Sequence, residues 1–341
     1  MDKTIKIPEV SVFIAAFNAE NYIEEAINSL LEQTFTDFEI IIVNDGSTDR
    51  TSSVIQKFSD NRIRYYENEQ NMGLVFTRNR LKTLAKGKYL AVLDSDDIAH
   101  VDRIKLQYEY LSANPHVVLC GGHGRQIDEN GKFEGKMIEV ITGKDLGPYM
   151  ILNNPFINSS TMFRHDAFMA IGGYKDFPLA EDYDCFVRMS EKGVVTNLDD
   201  VLVDYRIHNT NTTKIYADNL ITYQKKVIAY ILSSLGLKGI DTKTDLYYEI
   251  FSNQLSHFHL ESYHQLLGEI KLANDRIGKY NKQEFKGILH RLWYAIVMNQ
   301  NIKTNALKIF ITSEVFNLKS FTSKQFRKVF KKSVKHIFNY A

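Results

Sequence analysis

Runs of apolar residues alternate with amphipathic stretches over the first part of the chain. Runs of strand length lie at 10–17, 38–43, 63–67 and 89–93. After the first run, apolar residues recur three and four positions apart, as on one face of a helix: Ile23, Ala26, Ile27, Leu30 and Leu31. Continuous apolar strands indicate a sheet covered on both faces, and alternation with helices indicates crossover connections. The pattern predicts an α/β fold with a mostly parallel sheet and helices on both faces.

The pattern continues to about residue 212 and then changes. Further strands are predicted at 116–120, 157–164 and 201–207, and further helices at 74–86, 101–112, 165–171 and 181–191. Beyond this point the spacing predicts helices alone, at 214–235, 243–276, 283–299, 303–315 and 321–338. The spacing of the apolar residues changes here, whereas the composition does not shift to that of a linker. The sequence therefore predicts an α/β domain over 1–212 and an all-helical domain over 213–341.

Acidic residues follow several of the predicted strands or begin a helix. Asp45 follows the second strand, Asp94-Ser95-Asp96-Asp97 follows the fourth, Asp182 lies at a helix start, and His208 follows the last strand. Ligands of open α/β sheets bind beyond the carboxyl ends of the strands. Three carboxylates in four residues repel one another unless a cation lies between them, and hard oxygen ligands suit Mg²⁺ or Mn²⁺. The pattern predicts a site for a divalent metal, a diphosphate and a nucleoside.

Four residues at or after the ends of the first three strands are candidates for nucleotide contacts. The carboxylate of Asp45 can accept the N3–H of a uracil ring, although Asp45-Gly46 also forms an ordinary turn without any ligand. Phe17 can stack on the base or belong to the core, and Asn18 can cap the following helix. The rigid guanidinium of Arg78 can donate to a uracil carbonyl or a phosphate, or it can lie on the helix surface.

Asp182 and His208 are candidates for proton transfer and for metal binding. A positioned carboxylate such as Asp182 can take the proton of an attacking hydroxyl, while Glu181 and Asp182 also suit the first turn of a helix. A neutral His208 can complete a metal shell or contact the diphosphate. Arg206 points to the opposite face of the same strand, so that one of the two can bind phosphate while the other supports the structure.

Seven motifs occur in a fixed order over about 210 residues. They are VSVFIAAFN at 10–18, VNDGSTD at 43–49, Asn71-Met72-Gly73 with Arg78-Asn79, LDSDD at 93–97, Ile171-Gly172-Gly173-Tyr174, Glu181-Asp182, and Tyr205-Arg206-Ile207-His208. Together they resemble the family 2 inverting glycosyltransferases of the GT-A (Rossmann-like) fold, of the bacterial cell-surface polysaccharide type. The helical part of the chain carries no such resemblance.

The resemblance implies a metal-dependent, inverting transfer of a hexose or N-acetylhexosamine from a UDP-sugar to a hydroxyl of a glycan acceptor, in O-antigen or capsule synthesis. It implies that Asp94 reaches the ribose, that Asp96 binds Mn²⁺ or Mg²⁺ together with His208, and that Asp182 is the catalytic base. The implied contacts to the nucleotide sugar are Phe17, Asn18, Asp45, Arg78, Asp94, Ser95 and Arg206.

Composition limits the classes of binding partner and the cellular compartment that we expect. The net charge of +1 gives no reason to expect nucleic acid. The two cysteines, Cys120 and Cys185, have no metal-type spacing and suit a reducing, cytoplasmic setting. The N-terminus lacks the apolar core of a signal peptide, and no run approaches the roughly 18 apolar residues of a transmembrane helix.

The C-terminal stretch is strongly basic. Residues 315–341 contain no Asp or Glu, and their cations are Lys319, Lys324, Arg327, Lys328, Lys331, Lys332 and Lys335. Apolar residues fall roughly on one helix face among them: Phe326, Val329, Phe330, Val334, Ile337 and Phe338. Such a helix suits an anionic membrane surface. We therefore expect peripheral membrane contact through 319–338, where a polyprenyl-diphosphate-linked acceptor would lie; the alternative is a helix packed on its own domain.

Three other functions fit parts of the sequence. A sugar nucleotidyltransferase shares a sheet and a metal, but it needs a Gly-rich loop after the first strand, where this chain has AAFNAENY. A dinucleotide-dependent oxidoreductase needs G-x-G-x-x-G at the same place. A non-catalytic sugar-nucleotide-binding or scaffold module would leave Asp182 without a role, so substitution of that residue separates it from an enzyme.

Overall fold

The structure is a computed structural model that describes residues 7–209, 217–256, 259–299 and 306–338. It has two compact units. The first comprises Met1–Gly147 and Asn154–Tyr223, and the second Pro148–Asn153 and Gln224–Ala341. The boundary predicted at 212/213 falls within 210–216, outside the described residues, and stays a prediction. The short segment Pro148–Asn153 joins the helical unit, where the Tyr247 hydroxyl donates to the carbonyl of Ile151 at 2.7 Å.

Nine strands of the described chain form one sheet in the first unit. Their bounds are β1 Val10–Ala16, β2 Phe38–Asn44, β3 Ile63–Glu67, β4 Tyr89–Val92, β5 Ile98–Ala99, β6 Val117–Ile127, β7 Phe133–Ile138, β8 Met162–Arg164 and β9 Val194–Arg206. The order is β3-β2-β1-β4-β8-β6-β9-β5, and β7 pairs with β6. The strands β3-β2-β1-β4 are parallel, as are β6 and β9, and the other pairs are antiparallel. The predicted α/β sheet with a helical C-terminal region is confirmed.

The register brings the ends of the parallel strands to one edge. Ala16 of β1 lies beside Asn44 of β2, and Asn44 lies beside Glu67 of β3. The amide of Leu93, just after β4, donates to the carbonyl of Phe13 at 3.1 Å. The loops that carry Asp45 and the acidic cluster therefore leave the same edge, as the rule for open sheets requires.

The helices of the first unit pack on this sheet. Their bounds are α1 Ile23–Leu31, α2 Thr51–Ile55, α3 Leu74–Asn79, α4 Leu81–Leu84, α5 Arg103–Ala113, α6 His165–Ala170 and α7 Glu181–Met189. Four of the five apolar residues predicted to face inward from α1 are fully buried. The helix predicted over 74–86 is two short helices, and Leu74 is exposed rather than inward. The acidic pair Asp199-Asp200, which would suit a turn before a strand, lies within β9, and register shifts between β6 and β9 accommodate the longer strand.

The second unit is helical in its described residues. Helix α8, Ala217–Ser234, begins in the first unit and belongs to the second from Gln224 onward. The other helices of the second unit are α9 Ile240–Phe251, α10 Leu260–Ile277, α11 Lys282–Asn299, α12 Ala306–Ile311 and α13 Ser323–Phe338. The helix predicted over 243–276 is divided into α9 and α10, with Asn253 at a positive φ of 57° between them. None of the described helices is long and apolar enough to cross a membrane. The apolar spacing that predicted these helices serves packing within the unit, where Trp293 of α11 is 1% exposed.

Candidate active site

Asp45 organises the loop that follows β3. Its Oδ1 accepts from Asn68 Nδ2 at 2.6 Å and from the amide of Met72 at 2.9 Å, and its Oδ2 accepts from the amide of Gly73 at 2.9 Å. Asn68 also donates to Thr77 Oγ1 at 2.9 Å, next to Arg78. An ionised carboxylate has about four acceptor positions, so Oδ2 keeps one for a further donor. Asp45 is therefore more than a turn residue, and its predicted contact with uracil stays a prediction that this geometry permits.

The loops after β1 and β2 hold each other. The Asn18 amide donates to Ser47 Oγ at 2.9 Å, and Asn18 Oδ1 accepts from the amide of Thr48 at 2.9 Å. Asn18 does not cap the following helix, because α1 begins at Ile23 and its N-cap is Tyr22. The prediction of a helix cap is therefore wrong, and Asn18 shapes the rim of the site instead.

Phe17 and Gly46 complete this rim. Phe17 is 45% exposed at the end of β1, so the alternative that it belongs to the core is wrong. Gly46 has a φ of 65°, and a Cβ there would overlap the backbone of Gln70 and Asn71. Only glycine fits this position, and an exposed aromatic ring remains available beside the loop for stacking.

Arg78 joins two carboxylates from distant parts of the chain. Its Nη2 donates to Asp94 Oδ1 at 2.7 Å, and its Nη1 donates to Glu181 Oε1. The arginine side chain is 6% exposed. Burial alone lowers the pKa of Arg78, but Asp94 and Glu181 outweigh this effect and raise it overall, so the guanidinium stays charged. One buried cation thus links the end of β4 to the start of α7.

The Asp94 carboxylate is oriented by two residues that the sequence did not single out. Asn158 Nδ2 lies 3.0 Å from both carboxylate oxygens, and Ser159 Oγ lies 2.9 Å from Oδ2. We expected a strand over 157–164, but Asn158–Ser160 is a 3₁₀ turn and β8 begins only at Met162. Consecutive polar residues at 158–161, inside an otherwise apolar run, were the available signal. Ser95 follows Asp94 in the turn and is half-buried.

Asp96 and His208 lie together, as predicted. His208 Nε2 is 2.8 Å from Asp96 Oδ2, and the imidazole ring lies 4.8 Å from the ring of Tyr22. The His208 side chain is 7% exposed and that of Asp96 is 25% exposed. The tautomer that makes this contact also fixes which nitrogen can bind a metal. The ring of Tyr22 is tilted by 30° to the imidazole and packs against it, a contact that no sequence motif indicated.

Arg206 supports the acidic loop. Its Nε donates to the carbonyl of Asp96 at 2.7 Å, its amide donates to Asp97 Oδ1 at 2.9 Å, and its Nη2 pairs with Glu25 Oε2 at 2.8 Å. The guanidinium lies 5.0 Å from the centre of the Tyr22 ring. Arg206 is fully buried, so it presents no surface to a phosphate, and this arrangement favours the structural alternative over the predicted nucleotide contact.

Asp97 is the buried member of the acidic cluster. It is 1% exposed. Burial, with added repulsion from Asp96 and Asp94, raises its pKa well above the usual value. The amide of Arg206 donates to it, so Asp97 orients the loop from inside. Asp97 fits a role in orienting the site and not that of a helix cap, because the next helix, α5, begins only at Arg103 with Asp102 as its N-cap.

Asp182 lies in the first turn of α7. Its Oδ2 accepts from Asn154 Nδ2 at 3.1 Å, and its Oδ1 from the amide of Tyr183 at 2.6 Å. Burial raises the pKa of Asp182 to about 7, the charge of Glu181 adds to this, and Arg78 opposes it. A carboxylate with a pKa near neutrality is matched to accepting a proton at physiological pH.

The donor set at Asp96 and His208 fits a divalent metal. Among the described residues, no three His, Cys, Asp or Glu side chains group closely enough to hold a metal by themselves. One carboxylate oxygen and one imidazole nitrogen suit Mn²⁺, and carboxylate with water and phosphate oxygens suits Mg²⁺. Two protein ligands leave coordination positions for a diphosphate, so the site fits a metal that is shared with a nucleotide.

Hydrogen bonds, together with the chain between neighbouring residues, connect several of the predicted residues. Asp45 is linked through Asn68 to Thr77, the neighbour of Arg78, and Arg78 reaches both Asp94 and Glu181. Asp96, which contacts His208, belongs to the same acidic loop as Asp94. Binding groups for a nucleotide, a metal and a proton are thus available along one edge of the sheet.

Comparison with known proteins agrees with this site. The model of the family described as "Glycosyl transferase family 2" matches residues 11–172. An uncharacterised glycosyltransferase of Haemophilus influenzae is 31% identical over 321 residues, which cover 87% of this chain and 95% of the relative. The O-antigen biosynthesis glycosyltransferase WbnJ of Escherichia coli is 32% identical over 211 residues, covering 60% of this chain and 82% of the relative.

Among solved structures, that of S. aureus TarS 1–349 in complex with UDP-GlcNAc matches with a TM-score of 0.56. The match covers 96% of this chain and 92% of that chain at 16% identity, so it shows the fold alone. The fold is that of the GT-A glycosyltransferases, and the Haemophilus relative spans nearly the whole chain. This protein therefore belongs to glycosyl transferase family 2.

Proposed function

We propose that this glycosyltransferase is an inverting, metal-dependent enzyme that moves a hexose or N-acetylhexosamine from a UDP-sugar to a hydroxyl of a glycan acceptor. The observation that carries the proposal is the Asp94–Arg78–Glu181 bridge, which joins the acidic loop to the helix of Asp182. A carboxylate for the nucleotide and a carboxylate for the proton are thereby fixed in one site.

Asp182 is the proposed catalytic base. The acceptor oxygen attacks the anomeric carbon of the sugar as the bond from that carbon to the diphosphate oxygen breaks. The hydroxyl proton passes to the Asp182 carboxylate, and UDP leaves with the electron pair of the broken bond. Attack from the face opposite the leaving group inverts the configuration, and a single carboxylate is sufficient for this step. Because Asp182 must be deprotonated, the rate should rise with pH through its pKa of about 7.

The remaining site residues bind the donor. Asp45 has an acceptor position for the N3–H of uracil, and the exposed ring of Phe17 can stack on the base. Asp94 is proposed to contact the ribose. Asn18 and Ser95 stay proposed rim contacts for the same nucleotide sugar.

Asp96 and His208 would hold Mn²⁺ or Mg²⁺. Such a metal stabilises the charge that develops on the departing diphosphate. Arg206 and Asp97 keep the backbone of Asp96 in place, so the position of the metal ligand does not depend on exposed side chains alone.

A panel of nucleotide sugars tests the proposal. We expect UDP release from one UDP-sugar in the presence of a glycan acceptor, loss of this release in EDTA, and recovery with Mn²⁺ or Mg²⁺. A sugar nucleotidyltransferase would release pyrophosphate from a sugar phosphate and a nucleoside triphosphate instead. A non-catalytic module would bind a nucleotide sugar without turnover, and full activity in chelator would contradict the metal assignment.

The acceptor and the location form a second part of the proposal. The name of the E. coli relative, an O-antigen biosynthesis glycosyltransferase, supports a role in cell-surface polysaccharide synthesis. The proposed acceptor is a polyprenyl-diphosphate-linked glycan, and the proposed location is the cytoplasm at the membrane surface. On α13, Val329 is buried, whereas Phe326 and Phe330 are 45% and 50% exposed and stack at 5.8 Å. The neighbouring Arg327 and Lys331 are exposed. Exposed aromatic rings beside cations support contact with the anionic inner face of the membrane.

A further inference from the structure

We propose that Arg78 is a positioning residue that ties the helix of Asp182 to the carboxylate after β4, and that Glu181 is the anion that holds Arg78 there. The inference rests on the proposed function, because it concerns how the proposed base is prepared. It changes the part given to Arg78, whose predicted contact was with the nucleotide base.

The geometry leaves Arg78 little capacity for a ligand. Its two terminal nitrogens are each engaged by a carboxylate, Asp94 on one side and Glu181 on the other. The side chains of Arg78 and Glu181 are 6% and 5% exposed. The guanidinium carbon also lies 5.8 Å from the centre of the Tyr174 ring. A planar fork that is filled on both branches fixes the distance between its two partners, which is a structural function that lysine cannot reproduce.

The same contacts connect donor binding with the base. Asp94 is fixed on its other side by Asn158 and Ser159, so the Arg78 bridge extends from a rigid anchor. Glu181 precedes Asp182 in the first turn of α7. A shift of α7 relative to the acidic loop would therefore have to break the buried pair. Leaving a buried charge without its partner is strongly unfavourable, so the bridge holds Asp182 at a set distance from the donor.

Few charges surround Asp182. On α7 they are Glu181 and, one turn further, Asp184, which is paired with Arg188 at 2.5 Å. From the neighbouring elements they are Arg78 of α3 and Asp94 after β4. The Asp184–Arg188 pair is neutral as a whole. Glu181 and Asp94 therefore contribute two negative charges near Asp182, and Arg78 contributes one positive charge.

The other titratable groups near Asp182 are uncharged. They are Tyr174, Cys185 and Tyr205, and burial raises the pKa of each. Glu181 and Arg78 therefore act on Asp182 with opposite signs. Removal of the Glu181 charge should make Asp182 more acidic, and removal of the Arg78 charge should make it less acidic.

The test compares pH profiles of kcat/KM for Glu181→Gln and Arg78→Met with that of the unmodified protein. We expect the acidic limb to move down by about one pH unit for Glu181→Gln and up by about one unit for Arg78→Met. Arg78→Lys, which keeps the charge but loses the fork, should lower kcat without moving the limb upward. Glu109→Gln, an exposed change on α5, should leave the profile unchanged.

A titration that does not depend on turnover completes the test. Carboxyl ¹³C spectra of aspartate-labelled protein give the pKa of Asp182, which is assigned by the signal missing in Asp182→Asn. If Arg78→Met does not fold, Glu181→Gln alone decides the direction. An unchanged or raised pKa of Asp182 in Glu181→Gln overturns the inference. If no nucleotide sugar is turned over, the proposed function fails, while this titration still decides the role of Glu181.

Discussion

The charged residues of the site in the sheet unit are buried, whereas the cations compared with them on α13 of the helical unit are exposed. In the sheet unit, Arg78 and Arg206 are each less than a tenth exposed and donate to carboxylates or carbonyls, and the equally buried Glu181 accepts from Arg78. On α13 of the helical unit, Arg327 and Lys331 are exposed. Buried charges interact strongly and with little screening, whereas exposed charges act over about one Debye length and weaken with salt. Substitution of these buried residues should therefore have large effects, and substitution of the exposed cations of α13 should have small, salt-dependent effects.

The largest expected effect is that of Asp182→Asn. The amide cannot accept the acceptor proton, so transfer should fall by about 10³-fold or more. The substitution keeps the size of the side chain, and UDP should bind with unchanged affinity. UDP release and calorimetric titration with UDP measure the two quantities separately. Retained transfer would remove Asp182 as the base, and a parallel loss of UDP binding would show a disturbed site instead.

Local sequence patterns predicted part of the sheet unit. In the sheet unit, strand runs and acidic motifs predicted β1 to β4, α1, and the positions of Asp45, Asp94 and Asp96 at one edge. These features depend on local spacing and on one rule about parallel strands. The family resemblance then added the expected roles, and the family itself is confirmed.

The sequence did not predict which residues pair with the buried charges. Arg78 follows the segment Asn71-Met72-Gly73, a motif of the family resemblance that suggested a ligand contact, yet its partner Glu181 lies 103 positions away. Nothing in local spacing reports which of two distant acids an arginine meets. Asn158 was missed for a different reason: the polar residues 158–161 lie between apolar residues and were included in one predicted strand, although a 3₁₀ turn occupies Asn158–Ser160. Long-range pairing is set by the packing of the whole sheet.

A smaller effect is expected at Asp45. Asp45→Asn removes the charge and turns one acceptor into a donor that faces the amides of Met72 and Gly73. Loss of one charge-assisted hydrogen bond corresponds to about a tenfold weaker binding of UDP. The affinity for CDP, which has no N3–H, should change less. Calorimetric titration with both nucleotides measures this difference.

A matched control is available for Asp45. Asp60→Asn removes a carboxylate paired with Arg62 at 3.0 Å, away from the acidic loop, and should leave the affinity for UDP unchanged. Thermal unfolding of both variants distinguishes a lost ligand contact from a loosened loop. Equal weakening of UDP and CDP would argue against recognition of uracil by Asp45.

The smallest effect is expected for a single cation of α13. Lys331→Gln removes one exposed charge next to Phe330, and one charge near an anionic surface contributes about 1 kcal/mol. Partitioning onto phosphatidylserine-containing vesicles should therefore fall about fivefold at low salt, and the difference should vanish near 1 M salt, where the Debye length is about 3 Å. Lys57→Gln, an exposed change just after α2, is the matched control. If both variants lose binding to the vesicles equally, the net charge of the protein, and not α13, determines the partitioning. A loss that persists at 1 M salt would make Lys331 a packed contact and end the contrast between the two units.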